Sequence, residues 1–202
     1  MTTTNNYLDE KPRCRWCAIA PEFLAYHDHE WGFPVSDEFR LFEKLCLESF
    51  QSGLSWRTIL VKRENFRKAF HHFDYNKVAK FTAKDVERLL QDAGIVRHRG
   101  KIEAVINNAK RAVEMAEQEG SLAAYLWRFE PKVDELQKPQ SASTSANSIA
   151  MSKALKKLGW KFVGPTTAFA FMQAMGLIND HAEDCVIRGK VASARKEFKV
   201  SV

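Results

Sequence analysis

The sequence predicts an all-α fold, and three features carry that reading. Apolar residues recur at helix spacing through most of the chain. Capping and breaking residues bracket those runs. No stretch sustains the apolar–polar alternation of a half-buried strand. In chain order, Ser36, Asp37 and Glu38 open the first amphipathic helix, with Phe39, Phe42, Leu45, Cys46 and Phe50 along one side. Phe39, Phe42 and Phe73 are expected in the core. The same pattern repeats over 54–70. Thr82 and Asp85 have capping-box spacing, Gly94 supplies a stop, and Val86, Leu89 and Leu90 lie between them. A helix over 100–119 gathers Ile102, Val105, Ile106, Ala109 and Val113 on one face. Shorter helices cover 121–129 and 148–158. Pro165, suited to a first helical position, opens a helix over 166–175, and Gly176 closes it.

At 202 residues the chain fits one domain with enough interior to need no disulfide scaffold. Its 45% hydrophobic and 28% charged content excludes disorder throughout. No apolar run approaches the roughly 20 residues of a membrane span. Residues 1–12 are polar with no secretory core, so a cytoplasmic protein with reduced thiols is expected. Cys14, Cys17, Cys46 and Cys185 then read as thiols or metal ligands. The net charge of +6 favours a polyanionic partner only if the charge is clustered. Residues 131–148 are the one low-complexity stretch, read as a loop between two helical lobes. The expected organisation is an extension over 1–12, one domain over 13–190, and a tail over 191–202.

Three groups of residues carry chemistry. The first is the segment 158–168. There a helix ends at Gly159, Val163 and Gly164 turn the chain, and Pro165 restarts it. Gly164 is expected to supply a positive φ. The free N–H groups of the new helix, flanked by Lys153, Lys156, Lys157 and Lys161, suit a phosphate. The pattern resembles the helix-hairpin-helix element of DNA repair enzymes, with Phe162 in place of its first glycine. An ordinary helical corner with a solvated lysine face is the alternative. Arg97, Arg99 and Lys101 form a second candidate basic patch.

The second group is Cys14 and His27 near the start, with His181 and Cys185, four apart, near the end. Two thiolates and two imidazoles make a closed tetrahedral zinc set, structural rather than catalytic, that would clip the two ends together. Cys17 competes with Cys14 through Cys14-Arg-Trp-Cys17, and four unrelated residues remain the alternative. No His-Glu-x-x-His or zinc-deaminase signature is present. The third group is aromatic. Trp16, Phe23, Tyr26, Trp31 and Phe33 crowd a stretch rich in loop signals, and Phe50 and Trp56 flank Gln51-Ser-Gly-Leu-Ser55. Tryptophans and tyrosines in irregular chain suit a stacking pocket. Glu48 lies on an apolar stripe with Leu41, Leu45 and Leu47, where an acid must be paired, solvated or used.

Together these motifs carry a family resemblance. Cys14-Arg-Trp-Cys17, Tyr26-His-Asp-His-Glu-Trp-Gly32, Leu47-Glu-Ser-Phe-Gln-Ser-Gly-Leu-Ser-Trp56, Asp92-Ala-Gly-Ile-Val-Arg-His-Arg-Gly-Lys101, Lys161-Phe-Val-Gly-Pro-Thr-Thr167 and Gly176-Leu-Ile-Asn-Asp-His181 stand in the expected order. The chain resembles the 3-methyladenine DNA glycosylase I family from about Arg13 to Cys185. The resemblance implies a helix-hairpin-helix glycosylase fold and excision of N3-methyladenine from double-stranded DNA by a monomer, associated with the nucleoid. It implies one structural zinc on Cys14, His27, His181 and Cys185. It implies a base pocket of Phe23, Tyr26, Trp31, Glu48 and Trp56, with Phe23 where the family commonly has tyrosine. Gly53 and Leu54 would wedge into the gap left by the extruded base, and Lys161, Gly164 and Thr166 would contact DNA. Glu48 would accept from the adenine N6 amino group, with activation of water as its other possible role. Asp180 reads as structural, orienting a ligand rather than acting in catalysis. A non-enzymatic damage-binding module and a glycosylase for a different alkylated base are the competing readings.

Overall fold

A computed structural model describes residues 9–200. Residues 1–8 of the expected extension lie outside the described residues. Within them the chain is helical, with no strand. The elements are α1 (Glu22–His29), α2 (Glu38–Gln51), α3 (Trp56–Ala69), α4 (Tyr75–Val78), α5 (Ala83–Gln91), α6 (Arg99–Glu119), α7 (Leu122–Leu126), α8 (Ala146–Lys157), α9 (Pro165–Ala174) and α10 (Arg188–Glu197). Short 3-10 turns cover Arg15–Ala18, His71–Phe73, Trp127–Phe129 and Val133–Glu135.

The fold is organised around α2. The Asp37 carboxylate caps its first turn, accepting from the Arg40 N–H at 2.8 Å. Helices α3, α6, α7 and α9 then pack around it, burying every residue from Leu41 to Phe50. A helix enclosed on all sides must pair its polar residues internally. Glu43 takes a two-point contact from Arg67, at 2.9 and 2.8 Å. Ser49 donates to the carbonyls of Leu45 and Phe162. At the end of α2, the Lys101 ammonium donates to the carbonyls of Phe50 and Ser52, at 2.8 and 2.5 Å. Lys101 is therefore a buried helix cap and no part of a basic surface. Arg99 is likewise committed to Glu87 and Glu103, so the second basic patch does not form as expected.

Several elements begin or end elsewhere than expected, each for a local reason. Ser55 caps α3, so that helix starts at Trp56 and leaves Gly53 and Leu54 in the preceding turn. Ser145 and Ser148 form a capping box that starts α8 earlier. The aromatic stretch expected to be irregular contains α1, which carries Phe23, Tyr26 and His27 on its buried face. Phe39 is not in the core: it is 38% exposed and edges onto Tyr75 instead. Helix α10 runs through the boundary expected at residue 190. Val191 is fully buried, and Phe198 packs on Trp127 with ring centroids 4.6 Å apart.

Two backbone conformations matter for the site. Gly176 adopts φ +81°, and a Cβ there would lie 2.5 Å from the Pro34 nitrogen, so only glycine lets the 33–34 segment cross the end of α9. Between α8 and α9 the positive φ values belong to Gly159 (+82°) and Phe162 (+56°), while Gly164 has φ −66° and serves as the N-cap of α9. The expectation of a positive φ at Gly164 is thus corrected. The turn is made in two steps, at Gly159 and at Phe162, the latter at the position where the hairpin pattern has its first glycine.

Candidate functional site

Tyr26 and His27 are neighbours on α1 and belong to two different sites. The first is a cleft of about 580 Å³, within the range of small-ligand pockets. Phe23, Tyr26 and Trp31 come to it from the N-terminal segment, Glu48 from α2 and Trp56 from α3, with Trp16, Gln140, Gln173 and Asp180 completing the wall. All five residues expected in a pocket therefore line one cleft. The rings support one another: Trp16 meets Phe23 and Trp31 edge-on, with centroids 5.7 and 5.1 Å apart, and Tyr26 lies 5.4 Å from Trp56.

Glu48 is buried, and its partner is Lys44, one helical turn earlier, at 2.8 Å. The Lys44 ammonium also donates to the Tyr26 hydroxyl at 2.6 Å and sits 3.6 Å from the centroid of the Trp56 ring. Burial pushes the Lys44 pKa down, and the Glu48 carboxylate opposes that shift. Burial and the same carboxylate raise the Tyr26 phenol well above its usual range. Lys44 was not singled out from the sequence. Its signal was its position, since residues 41, 44, 45 and 48 share one face of an enclosed helix. Asp180 has both oxygens engaged, one by the Gln140 N–H at 3.0 Å and one by the Gln173 side chain at 2.6 Å. The Gln140 side chain also donates to the Asp180 carbonyl. Asp180 thereby fastens the low-complexity loop against the cleft.

The second site is a buried cluster. The donor atoms of Cys14, His27, His181 and Cys185 all lie within 4.8 Å of one another. Cys14 Sγ is 3.6 Å from His181 Nδ1, and Cys185 Sγ is 3.5 Å from both His27 Nε2 and His181 Nδ1. The two ring nitrogens are 3.2 Å apart. Zinc–sulfur and zinc–nitrogen bonds of about 2.3 and 2.0–2.1 Å imply tetrahedral donor separations of roughly 3.3–3.8 Å. The set could hold a metal ion: these four separations, 3.2–3.6 Å, are close to that range, and no donor pair is more than 4.8 Å apart. Each imidazole is oriented through its other nitrogen: His27 Nδ1 lies 2.8 Å from Asp28, and His181 Nε2 lies 2.9 Å from the Trp31 carbonyl. Asp28, itself gripped by Arg13, is the carboxylate that orients the His27 ring, and Asp180 orients neither histidine of the cluster. Burial lowers the His181 pKa to about 4, which keeps the ring in the neutral form a metal requires. Cys17 stays outside this cluster and packs with Ala20 and Phe23.

The remaining expected residues lie on the surface around the cleft. Gly53, at φ +80° with open space around its Cβ position, and Leu54, 40% exposed, form the turn after α2. In the hairpin, the Asn108 side chain ties both the N–H and the carbonyl of Lys161, at 2.8 and 2.9 Å. Ser152 donates to the Val163 carbonyl at 2.7 Å. These bonds hold the hairpin backbone from inside. Gly164 provides no side-chain cap, so the first N–H groups of α9 keep their hydrogen-bonding capacity. Thr166, Lys153, Lys156, Lys157 and Lys161 are exposed nearby.

A family model described as methyladenine glycosylase matches residues 16–188. The chain is 50% identical over 177 residues to DNA-3-methyladenine glycosylase 1 of Escherichia coli K12, covering 86% of this chain and 95% of the relative. It is 46% identical to DNA-3-methyladenine glycosylase of Haemophilus influenzae, covering 96% of that relative. A solved structure of a tyrosine-to-phenylalanine variant of 3-methyladenine DNA glycosylase I, in complex with 3-methyladenine, superposes with a TM-score of 0.81 at 39% identity. That match covers 87% of this chain and 96% of that one.

Proposed function

The chain belongs to the methyladenine glycosylase family, and from that premise we infer that it excises 3-methyladenine from DNA in base-excision repair. The observation that carries this reading is the cleft, where five aromatic side chains stand around the buried Glu48 carboxylate and the other acid of the wall, Asp180, is engaged by Gln140 and Gln173. Such a pocket fits a purine removed from the stack.

The chemistry asks little of the enzyme beyond holding the base. Alkylation at N3 makes the adenine cationic, and it leaves as a neutral molecule, so the glycosidic bond is already weakened. Phe23, Tyr26, Trp31 and Trp56 provide the walls against which the base stacks. Lys44 takes Glu48 Oε1, which leaves Oε2 to accept from the adenine N6 amino group. Guanine presents an acceptor at the corresponding position and is disfavoured. Glu48 carries its catalytic role through the base, which it holds by the N6 edge while the glycosidic bond on the opposite edge breaks. The Tyr26 hydroxyl accepts from Lys44 and so keeps its own hydrogen to donate.

Double-stranded DNA is held by backbone contacts. The N-terminus of α9, with Gly164 and Thr166, and the exposed Lys161 grip phosphates as a helix-hairpin-helix element. Gly53 and Leu54 fill the space the extruded nucleotide leaves. One zinc ion on Cys14, His27, His181 and Cys185 ties the N-terminal turn to the segment before α10. Bound there it closes the fold, and with four protein ligands it leaves no open position for substrate. The protein acts as a monomer.

The test is a base-release assay on duplex DNA treated with a methylating agent. Purified protein should release free 3-methyladenine, and it should contain about one zinc per chain. Release of 7-methylguanine in its place would move the reading to another alkylated base. Binding of damaged duplex with no release of any base would make the chain a non-enzymatic module.

A further inference from the structure

Lys101 and Asn108 are buried polar residues on one face of α6, two helical turns or about 10 Å apart along its axis. Each spends its side chain on the backbone of a different loop. The Lys101 ammonium donates to the Phe50 and Ser52 carbonyls, and the Leu54 N–H donates to the Gln51 carbonyl between them at 2.7 Å. Successive carbonyls are thereby fixed immediately before Gly53 and Leu54. The Asn108 side chain holds the N–H and the carbonyl of Lys161, and Asn107 reaches the Gly159 carbonyl at 2.8 Å. Ser49, on the last turn of α2, donates to the Phe162 carbonyl at 2.9 Å. The end of α2, helix α6 and the hairpin are thus tied pairwise through backbone atoms. Lys101 is the costly member of this triangle. Burial alone moves its pKa, downward, so no carboxylate compensates the charge, and its partners are carbonyl dipoles at the C-terminal end of α2. The turn already has its glycine, Gly53 at φ +80°, so a buried ammonium is more than a helix terminator needs.

We propose that Lys101 is a positioning residue for base extrusion: it locks the Gly53–Leu54 turn onto the helix that also holds the hairpin, so that the phosphate grip and the entry of Leu54 into the duplex keep a fixed register. The proposal rests on the reading of Gly53 and Leu54 as the segment that fills the space of the extruded nucleotide. Leu54 is 40% exposed, so its direction is set chiefly by the backbone of the turn. A side chain driven between stacked bases is pushed back by the stack, and a turn free to swing would yield. Two charge-assisted hydrogen bonds to its carbonyls resist that recoil. The other side of the triangle, from Asn108 to Lys161, carries the reaction force to the hairpin.

The experiment uses a DNA duplex with a stable abasic-site analogue and 2-aminopurine opposite it, whose fluorescence rises when an inserted side chain unstacks it. The wild-type protein should produce that rise. Lys101→Met should cut the rise at least about fivefold and slow single-turnover release of 3-methyladenine from methylated duplex at least about tenfold. Its affinity for undamaged duplex, held by the hairpin, and for free 3-methyladenine, held by the cleft, should stay within about twofold of wild type. A merely structural role would lower all four readouts together. Lys101→Gln, with one neutral donor group, should show the same split should the methionine variant fail to fold. Lys101→Arg, whose guanidinium offers a donor to each carbonyl, should restore most of the rise. A full rise in the neutral variants, or equal losses of insertion, release, duplex binding and free-base binding, overturns the assignment to Lys101 and leaves the wedge reading standing. A wild-type protein that binds this duplex with no rise overturns the wedge reading, and this proposal with it.

Discussion

The aromatic cleft and the cysteine–histidine cluster share the helix α1 and the Trp31 segment, yet they treat buried polar groups in opposite ways. In the cluster, four donors converge on one point, and both imidazoles are fixed from behind by Asp28 and the Trp31 carbonyl. Nothing is left over for a ligand from outside. In the cleft, Glu48 and Tyr26 are satisfied on one side only, by Lys44, and the aromatic faces have room beside them. A closed set of donors stabilises a fold, whereas a half-satisfied set waits for a substrate. Burial alone does not separate the two, since His27, His181 and Glu48 are all buried. The direction in which the remaining hydrogen-bonding capacity points does.

The comparison breaks most sharply at the cluster. Cys14→Ser removes a soft ligand and leaves an unsuitable hydroxyl among buried donors. Zinc content should fall from about one per chain toward zero, and chemical denaturation should show a loss above about 4 kcal/mol. A variant that keeps both its zinc and its stability would remove the cluster from the account. The next effect is smaller and lies at the hairpin. A Cβ at Gly164 meets nothing within 4 Å, so Gly164→Val should fold normally. Its side chain would intrude where a phosphate approaches the α9 amides. Fluorescence anisotropy should show duplex affinity reduced about tenfold for every sequence tested, because phosphate contacts carry no sequence information. A loss confined to particular sequences would point to base readout. The smallest effect is at Phe162, whose φ of +56° is unfavourable for any residue with a Cβ. Relief of about 1–2 kcal/mol of strain is offset by the extra freedom of glycine in the unfolded chain. Phe162→Gly should therefore raise stability by less than about 1 kcal/mol by urea denaturation. A clear loss would mean that the Phe162 ring, which edges onto His98, contributes more than the strain costs.

The parts legible in the sequence were those where a single local rule decides. Asp37 caps α2 and Thr82 with Asp85 caps α5, as their spacing requires. Pro165 begins α9. Cys14, His27, His181 and Cys185 were separable from Cys17 only through the family resemblance, and in the fold they converge without it. What escaped was set by tertiary surroundings. Helix α1 hides in a stretch whose aromatic residues serve two sites at once, which blurs its periodicity. Lys101 reads as part of a basic surface and Lys44 draws no notice, until the enclosing helices turn Lys44 into a partner for Glu48 and Lys101 into a cap for α2. The positive φ expected at Gly164 fell on Phe162, because hydrogen bonds from Ser49, Asn108 and Ser152 fix the hairpin backbone regardless of side chain. Helix α10 buries Val191 and little else, too thin an apolar signal to extend the domain past residue 190.

The central claim, that Glu48 acts on a base held in the cleft while the hairpin holds the DNA, is tested most directly by Glu48→Gln. Release of 3-methyladenine and affinity for duplex DNA should be measured on the same folded preparation. The single-turnover rate of base release should fall about 100-fold or more, with duplex affinity unchanged. Equal losses of release and of binding, or a release rate that stays near the wild-type value, would contradict it.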